Sequence, residues 1–270
     1  AAAANGIVFP AKAGLPSVGD VRVAPLLQTK WHQTEDGAGA PCYNYYTPNE
    51  YCCGCVATAM SQIMRKHRFP SASVTPVTKE CFVDDVAANH TMKGGSYNWN
   101  VMPLEPNEKA CTEAEREAIG RLTYDAGVSV CMDWSYESGA MSCLIGDAFR
   151  DVFGYGQAVY YRVNQGLGDG EGLQKAVYSN LDAGYPVMFG ICYSNWHGDK
   201  SNGHSIVGDG YGYNSGMAYM HLNMGWAGQD DLWYAMPEID TSNGIFNWIE
   251  DITYDIFPQA TAATAATAYP

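Results

Sequence analysis

Gly54-Cys55 opens a long apolar stretch, and this cysteine is the side chain best placed for nucleophilic chemistry. A thiol in the first turn of a helix faces the partial positive charge of the helix N-terminus, which favours the thiolate. The backbone N–H of Cys55, unpaired within the helix, can donate to a developing oxyanion. Taken alone, a cysteine is more often a small buried hydrophobe or half of a disulfide than a nucleophile. A thiolate nucleophile needs a partner to return a proton to the leaving group, and imidazole suits that task near neutral pH. The six candidates are His32, His67, His90, His197, His204 and His221. His204 follows Gly203 at the mouth of the β-like run Ser205-Ile206-Val207-Gly208, where it can project into a crevice. His197, in a Gly/Asn/Asp loop, is the runner-up, and His67 ends a helical pattern where the helix dipole suits a structural imidazole. His221 reads as a strand residue, and His32 and His90 have no supporting context. Nineteen residues beyond His204, Asn223 could hold the ring and Trp226 could shield that bond from water, although Asn-Met-Gly reads equally as a turn.

These side chains need elements to carry them. From Cys55 to His67, apolar residues recur at 56, 59, 60, 63 and 64, bases cluster at the end, and Pro70 follows, which predicts a buried helix. Thr112 caps a second helix with acidic residues in its first turn, with Ile119 and Leu122 inward and Gly127 closing it. A third is expected from about Glu171 to Ala183, ended by Gly184 and Pro186. Short β-like runs then follow at 187–189, 205–208, 217–222, 232–234 and 249–252, separated by Gly, Asn and Asp turns. A helix-rich first half joined to a strand-rich second half predicts an α+β chain of two lobes, with its site in the crevice between them.

Composition narrows the partners. With 270 residues and 47% hydrophobic content, the chain can bury a sizeable core. A formal charge of −14 repels phosphate backbones and anionic lipid heads, so nucleic acid and membrane surfaces are not expected as partners. No stretch approaches the roughly 18 apolar residues of a membrane span. Residues 1–20 and 259–270 read as tails around a domain over 21–258, with a helix-rich lobe at about 40–160 and a sheet-rich lobe at about 161–258. The first twenty residues lack an apolar export core, so any signal is expected to be already removed. Nine cysteines leave at least one thiol free if the rest pair, and eight paired thiols would allow about 105 connectivities.

The order Cys55, His204 about 150 residues later, then Asn223, approximates papain-type spacing. The stretches Pro25–Gln33, Gly54–Met60, Tyr97-Asn98-Trp99, Leu122–Val128, Ser138-Gly139-Ala140, Gly203-His204 with Asp209-Gly210, and Asn223–Trp226 resemble, in order, the streptopain family of bacterial cysteine peptidases. The resemblance spans roughly residues 23–256. It implies a papain-like fold and a secreted bacterial endopeptidase made as a zymogen and inhibited by its own propeptide. It places the nucleophile on Cys55, the catalytic histidine on His204 and an oxyanion-holding amide on Gln33. It also implies protein or peptide substrates and no metal or organic cofactor. Ser138, Gly139 and Gly203 fall where such proteins bind substrate, and the resemblance implies a hydrophobic substrate residue one position before the cleaved bond. Two features depart from the family: Met224 stands where members carry Trp, which leaves the orientation of His204 open, and Cys52 and Cys53 flank the nucleophile. Those thiols could pair with partners such as Cys42, or trap Cys55 in a disulfide.

Other classes stay in view. Cys42, Cys52, Cys53 and Cys55 lie close enough in sequence to suggest a structural zinc module, although Cys-Cys-x-Cys fits the usual paired spacing poorly. A silent papain-like scaffold that only binds peptides, or a transglutaminase-like acyl transferase, would use the same residues.

Overall fold

A computed structural model describes residues 13–163, 170–194 and 200–259. His197, residues 1–12 and residues 260–270 lie outside that description. In chain order the elements are β1 (Asp20–Val23), α1 (Cys55–His67), β2 (Thr78–Val83), β3 (Val86–Thr91), α2 (Glu113–Ser129), β4 (Asp133–Trp134) and α3 (Ile145–Asp147). They continue with β5 (Gln157–Arg162), α4 (Gly170–Asp182), β6 (Val187–Ser194), β7 (Lys200–Asn214), β8 (Met217–Asn223), β9 (Leu232–Tyr234), β10 (Ile239–Thr241), β11 (Gly244–Phe246) and β12 (Trp248–Phe257).

Helix α1 forms where the apolar spacing predicts it. Arg65, Lys66 and His67 occupy its last turn, and Arg68 stops it in the left-handed conformation (φ 49°, ψ 44°). Its burial exceeds what a surface helix needs, because every residue from Val56 to Arg65 is buried. Full burial of Met60, Ile63 or Met64 stabilises the fold by about 1.5–3 kcal/mol each. Helix α2 begins with a capping box: Glu115 N–H donates to Thr112 Oγ1 at 3.3 Å, and Thr112 N–H donates to Glu115 Oε2 at 2.8 Å. Gly127 does not close this helix, which continues to Ser129. A Cβ at Gly127 would lie 3.1 Å from the Trp134 ring, so close packing, and not chain reversal, accounts for the glycine.

The second half builds an antiparallel sheet in the order β5-β12-β6-β7-β8-β9, with β1 pairing the far end of β7. Strand β7 spans both groups of the sheet. Its first part pairs β6 (Ile191 opposite His204) and its second part pairs β8 (Gly212 opposite Tyr219). Gly210 and Gly212 permit β1 to lie against it, since a Cβ at either would come within 2.8 Å of the backbone oxygen of Val23 or Asp20.

Two expectations change. Residues 13–20, read as tail, are tied down: Leu15 and Trp233 exchange backbone hydrogen bonds at 2.8 and 2.9 Å, and Val18 packs with Tyr219 and Trp233. The helix-rich lobe also contains a sheet of order β3-β2-β4. Its β2–β3 hairpin turns through Asp84 and Asp85, both at positive φ, but its strands are largely exposed and so carry little apolar alternation. Strands β5, β10 and β11 were likewise not legible as separate runs.

The core divides into a helical-lobe cluster, including Trp31, Met60, Leu122, Trp134 and Phe149, and a sheet cluster, including Val177, Phe189, Ile206, Leu222 and Ile252. Met188, Val207 and Ile256 extend from the sheet into the first cluster. Helix α1 thereby packs on both lobes, and its N-terminus opens at their seam. No helix among the described residues is long and apolar enough to cross a membrane.

Candidate active site

Cys55 is the first residue of α1, and Gly54 caps it at φ +90°. A side chain at Gly54 would be strained by that φ and would meet the Met132 thioether at 2.8 Å and Ser138 O at 3.2 Å. The preceding loop is fixed by Cys53 N–H donating to Gln33 O at 2.9 Å, and the buried Cys53 thiol sits 3.2 Å from Thr58 Oγ1. The Cys52 thiol donates to Tyr136 O at 3.5 Å and accepts from Ser138 N–H at 3.4 Å, tying the nucleophile loop to the 135–138 segment. The pairings considered for these thiols do not form. All nine cysteines are free, and burial pushes the Cys42 and Cys53 thiols well above their ordinary value.

Strand β7 carries His204 across the seam to Cys55. Burial alone would raise the Cys55 thiol, but the hydrogen bond and charge of His204, with the N–H groups of Ser205 and Val56, outweigh it and hold Cys55 below its ordinary value. His204 Nε2 donates to Met224 O at 2.8 Å, which leaves Nδ1 for the sulfur. Trp226 stacks on the imidazole with centroids 4.8 Å apart and planes at 19°, and Phe246 lies beyond at 6.1 Å. The histidine is thus oriented by a backbone carbonyl, so Met in place of Trp at 224 leaves that hydrogen bond intact.

Asn223 does not reach His204. Its Oδ1 accepts from Gln62 Nε2 at 2.8 Å and from Gly225 N–H at 3.1 Å, and its Nδ2 donates to Thr29 O at 2.9 Å. Thr29 Oγ1 in turn donates to Gln62 Oε1 at 2.8 Å. The expected orienting residue is instead a buried peg that fixes the 223–226 turn to α1. Asp231 holds the same turn from the other side, accepting from Met224 N–H at 2.7 Å.

Gln33, Ser138, Gly139, Gly203 and Trp226 line one groove of about 660 Å³ together with Cys55 and His204. A Cβ at Gly139 or Gly203 would meet nothing within 4 Å, so both leave space on the groove wall. His32 lies against Gly225 of the 223–226 turn, and the other three described histidines serve elsewhere. His67 Nδ1 sits 3.2 Å from Tyr155 OH, and burial, with Lys66 beside it, drives this imidazole down to about 3. His90 lies against Tyr124 and Trp134, and His221 Nδ1 donates to Asp209 Oδ1 at 2.6 Å. Asp209 Oδ2 also accepts from Leu27 N–H at 2.8 Å, which joins the Asp209-Gly210 and Pro25-Leu26-Leu27 stretches. Tyr97 OH donates to Asp125 Oδ2 at 2.7 Å and joins two more. No group of three or more His, Cys, Asp or Glu among the described residues is arranged to hold a metal ion.

A thiol at a helix N-terminus, hydrogen-bonded to an imidazole brought by a sheet across an inter-lobe groove, defines a papain-like fold with a paired cysteine and histidine at its seam. The chain belongs to the Peptidase C10 family, whose model matches residues 38–234. It is similar to streptopain of Streptococcus pyogenes, at 29% identity over 198 residues, covering 70% of this chain and 46% of the relative. It also matches the thiol protease/hemagglutinin PrtT of Porphyromonas gingivalis, at 29% identity over 222 residues, 77% of this chain and 24% of that protein. The chain therefore spans less than half the length of these curated relatives. Active wild-type interpain A of Prevotella intermedia superposes with a TM-score of 0.75 at 25% identity, covering 88% of this chain and 95% of that one. A prointerpain A fragment from the same bacterium matches with a TM-score of 0.68 at 23% identity, covering 93% and 78%, and shares the fold.

Proposed function

We propose that this chain is a cysteine endopeptidase of a bacterium, acting outside the cell on proteins and peptides through a thioester acyl-enzyme. The observation that carries the reading is the Cys55–His204 hydrogen bond, which lowers the thiol within a groove of about 660 Å³. In this reading the Cys55 thiolate attacks the scissile carbonyl, and the Cys55 N–H and the Gln33 side chain receive the oxyanion. His204, which takes up the Cys55 proton, then passes it to the departing amine and afterwards takes a proton from the water that cleaves the thioester. Stacking by Trp226 keeps solvent from the imidazole face. Gly139 and Gly203 leave room for substrate, with Ser138 beside them. Synthesis as a zymogen with an inhibitory propeptide is part of the proposal, supported by the match to a protein whose precursor is known as prointerpain A.

The decisive comparison is casein cleavage by the wild type and Cys55→Ala, each with and without reductant. Loss of cleavage in Cys55→Ala alone is expected, and equal activity in both would overturn the mechanism. A wild type that neither cleaves casein nor reacts at Cys55 with a thiol-directed epoxide would be a peptide-binding scaffold instead.

A further inference from the structure

Among the described residues, the charged side chains that line the groove, His204 aside, are Glu137, Glu250 and Asp251, and no Lys or Arg lines it. They do not stand in equivalent settings. Glu250 is neutralised by Lys200 Nζ at 2.9 Å and Arg162 at 3.1 Å. Glu137 lies on the exposed rim. Asp251 is only 6% exposed and forms part of the groove's floor.

Strand pairing puts Asp251 directly opposite Gly190. A Cβ on Gly190 would lie 2.5 Å from Asp251 Oδ1, so the carboxylate lies over bare backbone and any side chain at 190 would displace it. Its hydrogen bonds come from the Ser142 side chain and the Gly190 backbone, both uncharged donors. The charged groups around it are Glu250 and Arg162, and Arg162 is engaged with Glu250. Burial, and after it the charge of Glu250, therefore lifts this carboxyl to about 6. A buried carboxylate with neutral donors and no dedicated cation is a site that an arriving cation would complete, with charge-assisted hydrogen bonds.

Resting on the peptidase reading, we propose that Asp251 is a specificity-determining residue, the floor of a subsite that accepts a Lys or Arg side chain of the substrate one position before the residue at the cleaved bond. The Ser138–Ala140 segment forms one wall of this subsite, Gly190 gives the Asp251 carboxylate its place, and Gly203, where a Cβ would meet nothing within 4 Å, leaves the cationic side chain room to enter. This departs from the hydrophobic residue that the family resemblance implies at that position. The chemical class selected is a basic peptide, and the net charge of −14 favours its approach.

The test uses fluorogenic peptides that differ only at that position, carrying arginine, its neutral isostere citrulline, or leucine. In the wild type the arginine peptide should exceed the citrulline peptide in kcat/KM by about tenfold, the scale set by one hydrogen bond to a charged group. Asp251→Asn should bring that ratio to within about twofold while changing the leucine peptide by less than about threefold. Equal rates for arginine and citrulline in the wild type would overturn the proposal, as would an Asp251→Asn variant that slows all three peptides alike. In Cys55→Ala, equilibrium binding of the same arginine and citrulline peptides should differ by about tenfold. That measurement judges the subsite even if no peptide is hydrolysed, an outcome that would sink the peptidase reading alone.

Discussion

Replacing Asn223 by alanine separates the structural role found here from the orienting role that spacing suggested. The substitution leaves Gln62 Nε2, Gly225 N–H and Thr29 O without their partners at 2.8, 3.1 and 2.9 Å, all of them buried. Each stranded group costs about 1–3 kcal/mol, so the loss of stability should be roughly 3–9 kcal/mol. For a chain of this size, each kcal/mol lowers Tm by about 2–4 °C, which gives a fall of roughly 6–36 °C. Activity should suffer less. Met224 O still accepts from His204 Nε2, and Asp231 still holds Met224 N–H, so kcat measured well below Tm should fall only about tenfold as the turn loosens. Calorimetry and peptide hydrolysis on the same preparation test the reasoning. An unchanged Tm with kcat down about a thousandfold or more would mean that Asn223 acts on the imidazole directly, as an orienting carboxylate or amide does in a triad.

Iodoacetamide should alkylate Cys55 well below the pH at which an ordinary thiol reacts, and His204→Ala should move that profile upward, followed by mass spectrometry; the buried Cys42 and Cys53 should stay unlabelled in the native protein. Met224→Leu, which conserves volume and the carbonyl, should keep kcat/KM within about twofold, whereas a collapse would assign the orientation of His204 to the side chain. Burial lifts the Asp231 carboxyl to about 7, above the roughly 3.9 of an unfolded chain. The folded state then holds the proton more tightly, so the contribution of Asp231 to stability is present below about pH 4 and is lost as pH rises through 7. Asp231→Asn keeps an acceptor for Met224 N–H, and denaturant titrations should find it gaining stability over the wild type from pH 5 to pH 8; a gap that does not change with pH would refute this.

The chemistry-bearing pair was legible in the chain because it uses local signals. Gly-Cys before an amphipathic run marks a helix N-terminus, and Gly-His before an apolar run marks a strand mouth. The same holds for the capping box of α2 and for most of the sheet, whose strands alternate or run apolar between turn residues. The departure at Met224 looked consequential in sequence and leaves the orientation of the ring unchanged, because the group that binds His204 belongs to the backbone and carries no residue-type signature. Asn223 was misread for the opposite reason, since an amide at triad-like spacing looks the same whether it faces an imidazole or a buried glutamine.

By itself the sequence determined the two-lobed α+β plan, the helix start that polarises Cys55 and the identity of its histidine partner, all of which depend on interactions within a few residues along the chain or on a motif read as a unit. Only tertiary structure decided that a backbone carbonyl and not Asn223 orients the ring, that Gln62 in the middle of α1 pins the turn, and that Asp251 reaches the groove floor. These depend on which strand lies opposite which, over separations of 161 residues between Gln62 and Asn223 and a pairing of Asp251 with Gly190 across two strands. Periodicity reports which face of an element is buried, but the partner that a buried polar group meets there is set by the packing of the two lobes.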